Sequence, residues 1–356
     1  MGPRITQRDV AREAGVSHAT VSLALSGHAG IPEQTAARIK SIAKRLGYAP
    51  DPMLSALSAY RKNQKQAAYK ANLGWINSRK DPIGRNGHGD FGLYFLGAQE
   101  RALEAGYQLE EICLVDYDYD VKRISKSLRS RGITGLLVGP VGDTCSEIHL
   151  DWQQFSAVRF GYSMRWPLLH TVTNSQFRTA RTAVDHLTRL GYRRIGFAAL
   201  PDADPRTVGN FIGGYWVGLQ MAGVVHTIPL FAEIVKNGAS LERLRQWIAK
   251  HRLDCIIYSQ WNFAIIVTES LGISVPESMG IASITNGPDE QYASGIHQNA
   301  RKIGAAGVDQ LIALLHRNEK GIPETPIHTL VEGVWQEGKT VRDVTSKPPR
   351  KVECGI

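Results

Sequence analysis

Apolar positions recur at helical spacing in three short runs at the start of the chain. The first places Val10, Ala11 and Ala14 on one side, the second Val21 and Leu25, and the third, opened by Pro32, places Ile39, Ile42 and Leu46 together. Thr6 and Ser17 supply caps for the first two helices, Gly15 a turn that a side chain would obstruct, and Gly47 an end for the third. Each run is too short to be stable alone, so the three are expected to share one small core. The second helix then keeps His18, Ala19, Ser22 and Leu23 on its outer face. A tight turn between two capped helices holds that face at a fixed angle, as entry into a DNA major groove requires; a helical hairpin without a ligand gives the same pattern.

The texture changes twice further along. Pro50 and Pro52 interrupt the chain, Asp51 is placed to cap, and Met53, Leu54 and Leu57 form an apolar stripe on a helix of two turns, marginal by itself, before the basic, polar "RKNQKQ" of a linker. From Leu73 short apolar runs alternate with helical patterns. "LGWIN", "YQLEEICLV", "GLLVGP", "AVRFGY", "RIGFAAL", "CIIYS" and "GIASI" read as strands, and 91–105, 176–190, 240–250 and 299–315 read as helices. This order predicts an α/β body with parallel sheets, long enough for two lobes with a ligand cleft at the carboxyl ends of the strands. The predicted organisation is a helix-turn-helix head over 1–49, a hinge helix over 50–61, a linker over 62–72, a two-lobed effector-binding and dimerisation domain over 73–340 and a disordered tail over 341–356.

Charge sharpens the division. Residues 1–70 carry 11 Lys/Arg against 4 Asp/Glu, whereas residues 71–356 carry 31 against 29. A basic head on a nearly neutral body points to a polyanion-binding module attached to a domain with another task. With 43% hydrophobic residues, no apolar stretch near membrane-spanning length and no apolar leader pattern at its start, the chain is expected to be cytoplasmic, not exported or membrane-inserted. The four cysteines, Cys113, Cys145, Cys255 and Cys354, have neither CxxC nor zinc-ligand spacing, so neither a disulfide framework nor a metal site is expected.

"DVAREAGVSHATVSLALSG", followed by "RIKSIAKRLGYAPDP", resembles the DNA-binding head of the LacI/GalR family of bacterial transcription regulators. The likeness continues in "HTVTNSQFRTARTAVDHLTRLGYRRIGF" and "IHQNARKIGAAGVDQLIALL" and spans roughly residues 5–340. It implies a homodimer whose heads read a pseudo-palindromic double-stranded DNA operator in the nucleoid, and a periplasmic-binding-protein-like core that senses a small-molecule effector. On the matching positions, His18 and Ala19 fall where bases are read, and Thr6, Ser17 and Ser22 suit phosphate or base-edge contacts. Leu57 matches the family's hinge leucine, an apolar wedge into the minor groove. Leu23 stands where many members carry arginine, the commonest reader of guanine, leaving it to pack, which is the preferred reading, or to touch a thymine methyl. In the presumed cleft Phe211, Gln260 with Trp261, and Thr285 with Asn286 replace the family's charged grips. That pattern implies a neutral effector, such as a sugar, stacked on an aromatic ring with amide hydrogen bonds; Asn77 adds one more amide.

Two motifs compete with this reading. "GHGDFG", residues 87–92, satisfies GxGxxG, with Glu110 or Glu111 at nearly the distance of a ribose-binding acid. However, about ten residues separate Gly87 from the end of "LGWIN", whereas a dinucleotide site needs the turn directly after the strand. "DYDYD", residues 116–120, lacks the glycine and the closing glutamate of a calcium loop, and reads as a solvated strand end. No nucleophile elbow, HExxH or P-loop occurs, so a regulator is expected rather than an enzyme, with no cofactor. A solute-binding protein shares the two-lobed core but has no use for residues 1–61.

Overall fold

The computed structural model describes residues 6–25, 31–48, 69–78, 90–142, 146–200, 206–224, 228–260, 262–287 and 292–345. Helix α1 (Gln7–Ala14) begins at a reciprocal cap: Thr6 N–H donates to Asp9 Oδ2 at 2.9 Å, and Asp9 N–H donates to Thr6 Oγ1 at 3.4 Å. It ends at Gly15, in the left-handed region at φ 65°. Helix α2 (His18–Leu25) starts where Ser17 Oγ accepts the Thr20 N–H at 3.1 Å, and α3 (Glu33–Arg45) starts after Pro32. Val10, Ala11, Ala14, Val21, Ala24, Ile39 and Ala43 form the common core. Ala24 and Ala43 fill buried positions, while Leu25, Ile42 and Leu46, expected inside, are half-buried around them. Arg45 ties α3 to Glu13 at 2.5 Å, an exposed pair that contributes roughly 0.2–1 kcal/mol.

Beyond the head the chain builds two sheets of the same plan. The first contains β1 (Ala71–Asn77), β2 (Tyr107–Cys113), β3 (Gly135–Val138), β4 (Ser156–Phe160) and β5 (His170–Asn174), with helices α4 (Asp90–Glu104) and α5 (Val121–Ser130) between strands. The second contains α6 (Gln176–Arg189), β6 (Ile195–Ala199), α7 (Asn210–Met221), β7 (Phe231–Ala232), α8 (Gly238–His251), β8 (Cys255–Tyr258), β9 (Gly280–Asn286) and β10 (Gly295–His297). Helix α9 (Ala300–Arg317) and β11 (His328–Val331) return to the first sheet, and β12 (Val334–Gln336) closes the second. The orders are β11-β5-β4-β3-β1-β2 and β12-β10-β9-β8-β6-β7, parallel throughout except for β12 against β10. The chain therefore crosses between lobes three times, after Asn174, after His297 and after Val331, a repeat of topology without a legible repeat of sequence.

Each sheet is covered on both faces, as parallel sheets require. In the first lobe α4 and α9 pack with Trp75, Val158 and Phe160, while α5 covers Leu136, Val138 and Ala157. Helices α4 and α9 cross backbone to backbone: a Cβ on Gly304 would stand 2.0 Å from the Tyr94 carbonyl oxygen. In the second lobe α6 and α7 cover one face and α8 the other.

Strand β1 starts at Ala71, two residues inside the predicted linker. The predicted tail is also shortened. Val341 and Val344 pack on the second core, Val344 N–H donates to Leu190 O at 2.9 Å and Arg342 N–H to the Tyr192 hydroxyl at 3.1 Å, so 341–345 belong to that lobe. No helix among the described residues is long and apolar enough to cross a membrane.

Candidate nucleic-acid interface and ligand cleft

Helix α2 divides sharply between its two faces. Val21 and Ala24 are buried, whereas Ser17, His18, Ala19, Ser22 and Leu23 are exposed. Leu23 is 39% exposed and stands in the outward row, on the outer face where the sequence places it. No Asp, Glu, Lys or Arg lies on α2; Arg8, Arg12, Arg38, Lys40 and Lys44 are exposed on α1 and α3. A neutral reading surface flanked by cations suits a duplex, whose bases lie in grooves between phosphate rows. Thr6 and Ser17 serve first as caps: the Thr6 hydroxyl donates to Asp9 at 2.7 Å, holding that carboxyl below its usual range, and Ser17 Oγ lies 2.8 Å from Thr20 Oγ1. Leu57, with the whole predicted hinge helix, lies outside the described residues.

The carboxyl ends of the strands carry the residues expected of the cleft, but with their polar atoms largely committed. Asn77, at the end of β1, is buried and donates to Glu111 Oε1 at 2.8 Å. Gln260, after β8, accepts from Val235 N–H at 3.2 Å and donates to Val235 O at 3.2 Å and Asn262 Oδ1 at 2.6 Å. Its amide thus pins the loop before α8. Asn286 Nδ2 donates to Ala293 O at 2.7 Å. Phe211 is 8% exposed within the second core, so it packs instead of offering a stacking face. Trp261 lies outside the described residues, and Thr285 is half-buried. Side chains not singled out from sequence also gather at this end of the first sheet. Gly142 N–H donates to Ser78 Oγ at 3.3 Å, Val141 N–H to Ser163 Oγ at 3.0 Å, and the Tyr119 hydroxyl to Ser78 O at 3.1 Å. Arg159 is a further one; its signal is a charge inside the apolar run "AVRFGY".

The competing motifs lose support. Glu110 accepts from Asn72 and pairs with Arg131 at 3.2 Å, and both Glu110 and Glu111 are thereby engaged; Gly87 is outside the described residues. "DYDYD" is not a strand end. Asp116 lies in a 3-10 turn over Leu114–Tyr117, Asp118 pairs with Arg123 at 3.1 Å, and Asp120 caps α5, accepting from Lys122 and Arg123 N–H at 2.8 and 3.0 Å. Backbone donation from Arg123 and Lys122 holds the Asp120 carboxyl below its usual range. Among the described residues no group of three or more His, Cys, Asp or Glu gathers at metal-binding distance. Cys255 is fully buried, which pushes its thiol well up, and Cys113 is half-buried.

Comparison with known proteins places both parts. Residues 6–51 match the model for bacterial regulatory proteins of the lacI family, and residues 184–334 match the periplasmic binding protein-like domain. The HTH-type transcriptional regulator PtxS of Pseudomonas plecoglossicida is 28% identical over 54% of this chain, and the match spans only about half, 53%, of that relative's length. The HTH-type transcriptional repressor PurR of Pectobacterium carotovorum subsp. carotovorum (strain PC1) is 24% identical over 92% of this chain and 95% of its own. Among solved structures, a transcriptional regulator CelR–cellobiose complex shares the fold at TM-score 0.55 and 18% identity, covering 95% of this chain and all of that one. The lac repressor dimer bound to operator and the anti-inducer ONPF does so at TM-score 0.53 and 17% identity, covering 96% and 100%. The helix-turn-helix head, residues 6–51, is thus a DNA-binding head of the lacI family of bacterial regulatory proteins, and residues 184–334 carry the periplasmic binding protein-like domain that follows it.

Proposed function

We propose that this chain is a sequence-specific transcription regulator, acting as a repressor, which binds a pseudo-palindromic DNA operator as a homodimer and is switched by a small-molecule effector between its lobes. The observation that carries the reading is the outward row of α2, with Ser17, His18, Ala19, Ser22 and Leu23 exposed over a closed three-helix core. That row has no arginine, lysine, asparagine, glutamine or acid, so the bidentate pairs that read guanine and adenine are missing from it. Ala19 and Leu23, four residues apart, instead present an apolar pair suited to thymine methyl groups, with His18 and Ser22 beside them.

The body supports the switch. Three chain crossings at Asn174, His297 and Val331 join the lobes, so a ligand held at both sets of strand ends favours one lobe arrangement by its differential affinity. In this reading Leu57 and the segment 50–61, predicted from sequence as a hinge helix, link that arrangement to the head, and operator affinity shifts by the same coupling free energy. The cellobiose in one neighbouring structure, and the operator on the lac repressor dimer in another, support a small polar effector and a twofold DNA complex. Asn77, Asn174 and Asn286 are described amides that end strands β1, β5 and β9, with Trp261 the remaining aromatic candidate. The stacked neutral ring loses Phe211, which packs in the core.

The test is selection of bound duplexes from a random pool, followed by a screen of metabolites for release or tightening. A recovered inverted repeat whose binding responds to one metabolite class supports the reading; recovery of no sequence preference removes it.

A further inference from the structure

Strand β4 carries a charge that neither the head nor the lobe crossings use. Arg159 lies between Val158 and Phe160 in a strand buried along its whole length, and is itself 5% exposed. Its Nε–H donates to Thr171 Oγ1 at 2.8 Å and its Nη1 donates to the Met164 carbonyl at 2.5 Å. Both acceptors are neutral, and among the described residues no carboxylate pairs with it. A guanidinium has five N–H donors, so three are left over. Proteins rarely bury an arginine without a counter-charge, because the lost hydration is not replaced by two neutral acceptors. Burial duly pushes the Arg159 pKa down, and the phenol of Tyr162 is the neighbour that offsets it.

The surroundings have the chemistry of a donor site. Arg159 is in register with Thr171 on β5, and Thr171 with His328 on the edge strand β11. Residues in register on parallel strands present their side chains to the same face, so these three form one polar row. The same face is apolar nearer the sheet centre, where Leu136, Val138 and Ala157 pack together. Tyr162, on the loop leaving β4, lays its ring 5.5 Å from that of His328. Met164, on the same loop, accepts from the guanidinium through its backbone carbonyl, while His328 is exposed and opens the row to solvent. The row thus holds a cation, two hydroxyls and an imidazole, with no acid among them.

We propose that Arg159, Tyr162 and His328 form a site for a small oxyanion, the carboxylate or phosphate group of a free anion or of a metabolite, at the β11 edge of the first sheet. The site does not depend on the head reading DNA, and its failure would leave that reading untouched.

The test uses the full chain, titrated with inorganic phosphate and separately with acetate at ionic strength held constant with chloride, and followed by calorimetric heat and by the unfolding midpoint. Saturable binding and a raised midpoint with at least one of the two, absent with chloride alone, are expected; the anion that binds identifies the phosphoryl or the carboxylate class. Arg159→Gln is expected to weaken that binding at least tenfold, and Tyr162→Phe severalfold. Wild-type protein that responds to neither anion beyond chloride overturns the site, as does Arg159→Gln binding as tightly as wild type. Should Arg159→Gln fail to fold, Tyr162→Phe and His328→Asn carry the test, and unchanged affinity in both overturns it.

Discussion

Leu23→Ala tests the reading surface without disturbing the head that presents it. The side chain is 39% exposed in the free protein, whereas the core beneath it is made by Val21 and Ala24. Burying a whole leucine side chain contributes about 1.5–3 kcal/mol. Covering only the exposed 39% against a thymine methyl gives roughly 0.6–1.2 kcal/mol, or about three- to eightfold in operator affinity. The assay is fluorescence anisotropy on a selected operator, repeated with each thymine replaced in turn by deoxyuridine, which removes one methyl and nothing else. At the contacted position wild type should lose affinity on the methyl's removal and Leu23→Ala should not, because its partner is already gone. Leu23→Arg should move the preference there toward guanine. Equal sensitivity of wild type and Leu23→Ala to every deoxyuridine would refute the contact, and an unfolding midpoint lowered by several degrees would show that Leu23 packs after all.

Four further outcomes are expected. His18→Ala should lose discrimination at one half-site position more than nonspecific affinity, read from competition against scrambled duplex; equal losses argue against base reading. Leu57→Ala should weaken operator binding and DNA bending while leaving effector affinity intact, and unchanged bending in a gel-mobility phasing assay would contradict the hinge role. Gly304→Ala should destabilise the body by about 1–3 kcal/mol in denaturant titration, because the added Cβ would meet the Tyr94 carbonyl oxygen at 2.0 Å; an unchanged midpoint contradicts the helix crossing. His170 is buried with Nδ1 accepting the Ile327 N–H at 3.0 Å, and burial, aided by Arg317 against the pull of Glu319, depresses its pKa. Its neutral form is the folded one, so its contribution is full above about pH 6.5 and is lost as pH falls through the lower folded value. His170→Gln should flatten that acid limb of the stability profile, and an unaltered limb would assign it to other groups.

What could be read from sequence follows from how local each signal is. The head was legible because caps, turn and periodicity lie within a few residues of each other, and Thr6, Gly15 and Ser17 occupy the predicted positions. Strand β5, "HTVTN", was not, because His170, Thr171, Thr173 and Asn174 are polar residues buried by tertiary contacts. Helix α7, "NFIGGYWVGLQM", carries three glycines that argue against a helix locally; Gly214 is needed because its Cβ would stand 2.0 Å from the Phe177 carbonyl oxygen on α6. In the cleft, residue types pointed to amides and aromatics, but not to which atoms were already spent. Gln260 is consumed by Val235, and Phe211 by the second core. The shared strand order of the two lobes left no trace in residue identities, since each position answers to its own packing neighbours.

The central claim, that the exposed row of α2 chooses the DNA sequence, is tested most directly by repeating the duplex selection with the four side chains at 18, 19, 22 and 23 replaced together. The replacements leave the buried Val21 and Ala24 in place, so the three-helix core is retained. The account predicts an inverted repeat of unchanged spacing whose half-site bases differ from those recovered with the wild-type chain. Recovery of the same bases by both proteins would contradict it.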